Sequence, residues 1–277
     1  MCRWLAYSGS PVLLEDLLYK PQHSLVVQSL HSQMGAETTN GDGFGLGWYG
    51  NRDTPGVFRS TEPAWNDTNL RELAGHIASP RVFAHVRAST GSPVQLTNCH
   101  PFREGRWLWM HNGCINGFAG LKRDLALAVD PMLFPRIEGT TDSELMFFLA
   151  LTLGLEDDPP AAVARMVGLV EERAERRGVP GAVQMTVATT DGTTTWAFRY
   201  SSEGRSRTLF HSTDISTLRH QYPDNPALHE LSDDARLVVS EPLGDLRGAW
   251  REVPESSCIT IGGGHEDLRP FQPTKPD

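Results

Sequence analysis

Cysteine occupies position 2 of the sequence and opens a short apolar run, Cys2-Arg3-Trp4-Leu5-Ala6-Tyr7, that is typical of a buried strand. If Met1 is removed, Cys2 carries both a thiol nucleophile and a free α-amine that can act as its general base. An α-amine titrates closer to neutrality than a lysine amine, so it can carry protons at physiological pH. Taken alone, Cys2 is more simply interpreted as a small residue in a buried strand, and the other motifs decide between the two interpretations.

A cation and two hydroxyls follow a second predicted strand, in His85-Val86-Arg87-Ala88-Ser89-Thr90-Gly91. An arginine guanidinium can hold a substrate carboxylate through two parallel hydrogen bonds. The alternative for Arg87 is an ordinary salt bridge at the end of a strand.

Two adjacent hydrogen-bond donors close a third predicted strand, in Met110-His111-Asn112-Gly113. The Asn112 amide and the Gly113 N–H could converge on a developing oxyanion. As a bare dipeptide, Asn-Gly is above all a turn signal, and both interpretations stay open.

An acidic residue lies at a predicted helix start in Gly139-Thr140-Thr141-Asp142-Ser143-Glu144. Residues of this type cap helices. The same position would also let Asp142 pair with a substrate ammonium.

Two further patterns predict neither a nucleotide site nor a metal site. The glycine-rich run from Asn40 to Gly47 lacks the Lys-Ser/Thr of a phosphate-binding loop and leads into a strand rather than a helix. The group formed by His85, Cys99, His100 and His111 fits no usual metal-ligand spacing. We therefore expect no cofactor and no metal.

Hydrophobic patterns predict the elements that must position these residues. Predicted helices cover 142–153 and 160–176, with shorter ones near 13–18, 69–77 and 119–128. The predicted strands are 4–7, 44–49, 82–87, 107–111, 183–189, 194–200, 237–240 and 258–261. Two batches of strands with the best helices between them predict an α+β fold of two packed sheets covered by outer helices.

Length and composition limit the class of protein. A chain of 277 residues with no linker predicts one domain over 1–277, with an extended or frayed tail from 270 to 277. A net charge of -9 without a basic stretch argues against nucleic acid and anionic membranes as partners. No apolar run approaches 18 residues, no signal peptide is evident, and the four cysteines form no C-x-x-C pair, so a cytoplasmic protein with reduced thiols is expected.

The order of the motifs is more specific than any of them. Cys2 is followed by Asn-Gly-Asp-Gly at 40–43, His-x-Arg-Ala-Ser-Thr at 85–90, Asn-Cys-His-Pro-Phe at 98–102, His-Asn-Gly at 111–113 and Thr-Asp-Ser-Glu at 141–144. This order resembles the class II glutamine amidotransferases, which are N-terminal-nucleophile hydrolases, strongly over residues 1–155 and more loosely through Val239-Ser240-Glu241-Pro242-Leu243. Within the family, the closest likeness is to stand-alone γ-glutamyl amidohydrolases of the Dug type and of ergothioneine biosynthesis.

The resemblance implies a four-layer αββα sandwich and a role for each matching residue. Cys2 would be the nucleophile with its own α-amine as base, and Asn112 with Gly113 would form the oxyanion hole. Arg87, supported by Thr90, would hold the α-carboxylate of a γ-glutamyl group, and Asp142 its α-ammonium. His111 is placed beside this substrate site. Two departures from synthase-linked members, Asn40 for an arginine and Ala88 for an aromatic residue, concern how the pocket closes.

Three functions are compatible with these residues. The first is hydrolysis of a γ-glutamyl amide such as glutamine or glutathione through a γ-glutamyl thioester, favoured because no synthase-like region follows in the sequence. The second is a glutaminase subunit that supplies ammonia to a separate synthase; a peptidase subunit is the alternative protein partner. The third is a catalytically silent binding or regulatory module, which retained Met1 would indicate.

Overall fold

Two antiparallel β-sheets form the centre of the computed structural model, which describes residues 2–34, 39–89 and 91–275. The strands are β1 (Arg3–Leu13), β2 (Phe44–Trp48), β3 (Gly56–Ser60), β4 (Ala78–Val86), β5 (Phe102–Glu104), β6 (Trp107–Ile115), β7 (Val183–Thr190), β8 (Thr195–Ser201), β9 (Phe210–Ser212), β10 (Arg236–Val239), β11 (Trp250–Glu252), β12 (Ser257–Gly262) and β13 (His265–Pro270). In the described residues, one sheet has the order β11-β9-β10-β1-β4-β2-β3 and the other β13-β12-β8-β7-β6-β5.

Helices cover the outer face of each sheet. They are α1 (Leu14–Leu18), α2 (Leu25–Leu30), α3 (Thr68–His76), α4 (Phe118–Ala126), α5 (Asp142–Thr152), α6 (Pro159–Glu175), α7 (Ile215–Gln221) and α8 (Pro226–Glu230). The first sheet shares a hydrophobic core with α1, α2, α3, α7 and α8, and the second with α4, α5 and α6. No helix in the described ranges is long and apolar enough to cross a membrane.

A third core lies between the sheets, and strand alternation in β1 shows how it is separated from the outer cores. Trp4 and Ala6 pack between the sheets, whereas Leu5 and Tyr7 pack under the outer helices. Successive side chains of a strand point to opposite faces, so this strand, buried on both sides, reads as a continuous apolar run. The three cores confirm the predicted four-layer αββα sandwich.

The two longest predicted helices are confirmed within a residue or two at their ends. Thr141 caps α5, since its hydroxyl accepts a hydrogen bond from the Glu144 N–H at 3.2 Å. Asp158 caps α6 in the same way, with Pro159 at the first helical position. Both helices therefore begin where side chains satisfy their free N–H groups.

The described part of the C-terminal tail, residues 271–275, has no regular secondary structure and is packed rather than frayed. Phe271 is buried in the core of the second sheet, and the Thr274 N–H donates to the Ala164 carbonyl at 3.1 Å. A Cβ on Gly168 would lie 2.1 Å from the Thr274 carbonyl oxygen, so a glycine in α6 lets the tail lie directly on the helix.

Candidate active site

Cys2 lies immediately before β1, in the middle of the first sheet. Its half-buried thiol approaches the Ala88 carbonyl at 3.5 Å. Burial raises the pKa of the Cys2 thiol, and the hydrogen bond to Ala88 and the nearby Arg87 charge only partly oppose this. A thiol that is protonated at neutral pH needs a base before it can act as a nucleophile.

Arg87 follows β4, the neighbour of β1, and its guanidinium is buried among neutral acceptors. It donates to the Ser92 hydroxyl at 2.7 Å, the Ser89 hydroxyl at 3.2 Å and the Pro93 carbonyl at 3.2 Å. A fourth bond reaches the Asp42 carbonyl at 3.3 Å. None of these acceptors carries charge, so the salt-bridge alternative is not what the described contacts show, and the cation can still attract an anion.

Asn112 and Gly113 lie within β6 and not in a turn, so the turn interpretation of this dipeptide was wrong. They pair with Thr186 and Met185 of β7. Gly113 has φ +154°, and a Cβ there would lie 1.9 Å from the Gln184 carbonyl oxygen. Only glycine therefore allows β6 and β7 to approach this closely.

Asp142 is the first residue of α5 and is bound to the end of β6. Its carboxylate accepts the Ile115 N–H at 2.8 Å and the Ser143 N–H at 2.8 Å. These bonds hold the Asp142 carboxylate beside Ile115, which lies two residues beyond Gly113 in β6. The carboxylate is also at the positive end of the α5 dipole.

Strand pairing brings these residues to one end of the sandwich. Arg3 pairs with Val86 across β1 and β4, so Cys2 lies beside Arg87. Between the sheets, the Trp4 indole donates to the Thr186 hydroxyl at 3.3 Å, and that hydroxyl bonds to the Asn112 carbonyl at 3.4 Å. The candidate nucleophile, the cation, the candidate pair of donors and the acid thus converge from both sheets.

The two remaining predicted site residues are His111 and Thr90. His111 is buried, with Nδ1 2.8 Å from the Ser143 hydroxyl and Nε2 3.4 Å from the Gln184 carbonyl. Both ring nitrogens contact protein, which places His111 behind Asp142 and Gly113. Thr90 lies outside the described residues, so its predicted support of the carboxylate stays a prediction.

A pair of stacked histidines lies between the sheets near this site. The rings of His85 and His100 are 4.2 Å apart, and Nδ1 of His85 and both nitrogens of His100 have no hydrogen-bond partner in the described chain. Burial lowers the pKa of His85 to about 3 and holds that of His100 well below its usual range. The described residues contain no group of three or more His, Cys, Asp or Glu side chains able to hold a metal.

Acid should therefore destabilise the protein through these rings. The folded state keeps them neutral, whereas the unfolded chain protonates them below about pH 6.5, so their contribution is complete above that pH and is lost as pH falls toward 3. We expect His100→Leu to reduce the pH slope of the unfolding free energy between pH 6 and 4 by about 1.4 kcal/mol per pH unit. Urea unfolding at several pH values measures this slope.

The control is Phe102→Leu, which alters the ring packed 4.4 Å from His100 without removing a titratable group. It should change stability equally at each pH. An unaltered slope in His100→Leu would show that the ring does not stay neutral in the folded protein.

Several residues at this end were not assigned roles from the sequence. The Asp42 carboxylate accepts the Ser89 N–H at 2.7 Å and so shapes the loop after Arg87. Glu241 forms a buried ion pair with Arg3. Both acids lie in motifs that carry the family resemblance, and this resemblance was the signal that could have indicated them. Their partners could not be inferred, because they are distant in sequence.

Comparison with known proteins agrees with the class that this fold and site define, the N-terminal-nucleophile hydrolases. Residues 19–235 match the family model for "Glutamine amidotransferases class-II". The chain belongs to the class II glutamine amidotransferases.

Individual relatives match over nearly the full chain. "Probable glutamine amidotransferase DUG3" of Saccharomyces cerevisiae is 35% identical, over 94% of this chain and 82% of the relative. A gamma-glutamyl-hercynylcysteine sulfoxide hydrolase of Mycolicibacterium smegmatis is 29% identical, over 98% of this chain and 100% of the relative. The solved structure of a glutamine aminotransferase class-II domain protein from Silicibacter pomeroyi is 31% identical, with a TM-score of 0.74 over 99% of this chain and 100% of that one.

Proposed function

We propose that this protein is an N-terminal-cysteine amidohydrolase that cleaves a γ-glutamyl amide and releases glutamate. The observation that carries the proposal is the convergence of Cys2, Arg87, Asn112, Gly113 and Asp142 on one end of the sandwich. Two relatives are named "Probable glutamine amidotransferase DUG3" and "Gamma-glutamyl-hercynylcysteine sulfoxide hydrolase", and these names support the same chemistry.

Substrate recognition follows from two opposite charges. The Arg87 guanidinium holds the α-carboxylate of the glutamyl head, and the Asp142 carboxylate holds its α-ammonium. Because both charges belong to the glutamyl group, the same site accepts different leaving amines, and the surrounding loops select among them.

Acyl transfer then proceeds in two steps. With Met1 removed, the α-amine of Cys2 takes the thiol proton, and sulfur attacks the γ-carbonyl carbon. The Asn112 amide and the Gly113 N–H stabilise the oxyanion, and the C–N bond breaks as the α-ammonium returns the proton to the leaving amine. Water hydrolyses the resulting thioester by the same route, releasing glutamate and restoring the thiol.

The test is glutamate release from a panel of glutamine, glutathione and other γ-glutamyl amides, with removal of Met1 checked by intact mass. Hydroxylamine added during turnover should divert product to γ-glutamyl hydroxamate, since it attacks the thioester in place of water. Release from at least one panel member, with hydroxamate formation, is expected. No release from any member by protein lacking Met1 would overturn the stand-alone hydrolase; activity restored only by a partner protein would identify a glutaminase subunit.

A further inference from the structure

Asn98 lies in a short turn between the two charges assigned to glutamyl recognition. It ends the 3-10 turn Leu96–Asn98 that follows the Arg87 loop, and its side chain is completely buried. A buried primary amide needs both donors and acceptors around it. Its partners come from two separate loops.

On one side Asn98 bonds to the loop that holds Arg87. Its Nδ2 donates to the Pro93 carbonyl at 3.0 Å. The same carbonyl accepts a hydrogen bond from the Arg87 guanidinium at 3.2 Å. Asn98 therefore fixes one of the acceptors that orient the cation.

On the other side Asn98 bonds to the loop that leads into α5. Its Oδ1 accepts the Thr140 N–H at 2.9 Å, and its Nδ2 donates to the Thr140 hydroxyl at 3.1 Å. Thr140 lies two residues before Asp142. A Cβ on Gly139 would lie 2.6 Å from Asn98 Oδ1, so the loop packs directly against the amide.

The α5 loop is held rigid on its far side as well. The Glu144 carboxylate accepts the Glu138 N–H at 3.0 Å and the Gly139 N–H at 2.7 Å. Because the loop is bonded on both sides, a displacement of Asn98 also displaces the start of α5.

We propose that Asn98 is a positioning residue that sets the separation between the Arg87 guanidinium and the Asp142 carboxylate. This inference rests on the proposed function and adds that recognition of the two ends of the glutamyl head is coupled through one amide. Only an amide supplies both the donors and the acceptor in this space. Asn98→Asp keeps the shape but turns a carboxylate oxygen toward the Pro93 carbonyl, where two acceptors repel.

Two alkylating reagents separate glutamyl positioning from the state of the thiol. Iodoacetamide alkylates Cys2 without a glutamyl head, whereas 6-diazo-5-oxo-L-norleucine must first bind through its α-carboxylate and α-ammonium. We expect Asn98→Asp to slow inactivation by the diazo reagent about 10- to 100-fold and to leave the Cys2 alkylation rate with iodoacetamide unchanged. The KM for a γ-glutamyl substrate should rise more than kcat falls.

Matched variants keep the test decisive. Gln95→Ala removes a side chain that bonds to Asn98 from the same turn but not to the α5 loop, and it should behave as wild type. Thr140→Val removes only a hydroxyl and should give a smaller loss of the same kind, which serves if Asn98→Asp unfolds.

The outcomes distinguish the two proposals. Wild-type protein lacking Met1 that the diazo reagent does not inactivate, although iodoacetamide alkylates Cys2, would overturn the glutamyl function itself. A different outcome would overturn the positioning role alone. In that outcome both reagents inactivate the wild type, and the variants either react as fast as the wild type or are slowed by the same factor with both reagents.

Discussion

Replacing Cys2 with alanine is expected to lower glutamate release by about 10⁴-fold or more, because the thioester route then has no nucleophile. The hydrogen-bonding groups around the γ-carbonyl would remain, so substrate should still bind. Glutamate formation by a coupled assay measures the rate, and calorimetry with a γ-glutamyl ligand measures binding.

The matched control is Cys258→Ala, a cysteine buried in β12 within the core of the second sheet, three strands away from β6. It should keep its turnover despite some loss of stability. Protein that retains Met1 should be as inactive as Cys2→Ala, because an amide nitrogen cannot accept the thiol proton. Equal turnover in Cys2→Ala and wild type would refute the assignment of Cys2 as nucleophile.

Replacing Glu241 with alanine is expected to lower the free energy of unfolding by about 3–5 kcal/mol, because it breaks a buried ion pair with Arg3 by removing one partner. The side chains of Arg3 and Glu241 are only 4% and 3% exposed. The Glu241 carboxylate also accepts the Gln33 and Met34 N–H groups, each at 3.0 Å. Alanine therefore removes one ion pair and two acceptor sites together.

Urea unfolding compares this variant with Glu172→Ala, which breaks the exposed Arg176–Glu172 pair at 2.7 Å. The exposed pair should contribute less than about 1 kcal/mol. Similar losses for the two variants would show that water reaches the Glu241 carboxylate. The Arg3 guanidinium, which Glu241 holds, also donates to the Cys2 carbonyl at 2.9 Å. Glu241→Gln should therefore lower turnover in addition to stability.

Local signals account for the parts of the fold that the sequence predicted. Caps and apolar periodicity located α5 and α6, and continuous apolar runs located β1, β4 and β6. The strand β13 was not predicted, because every one of its residues is exposed and its sequence shows no apolar alternation. The Asn112-Gly113 pair continues a strand because β7 lies alongside it, which no local pattern reveals.

The candidate site, like the fold, could be predicted from the sequence only in part. The order of motifs predicted which residues meet, since the family resemblance already includes their arrangement in space. It could not predict the bonds between Asn98 and Thr140 or between Arg3 and Glu241. Residues 42 and 238 positions apart make these contacts, and nothing in either local sequence indicates its partner.

The central position of β1 has a consequence for biosynthesis. Trp4 bonds to Ser240, 236 positions further along the chain, so the strand behind Cys2 gains its β10 neighbour only after those 236 residues have been synthesised. At elongation rates of about 5–20 residues per second, this leaves roughly ten seconds or more with an incomplete first sheet. Removal of Met1, which the proposed mechanism requires, has that interval in which to occur, before β9, β10 and β11 complete the sheet beside β1.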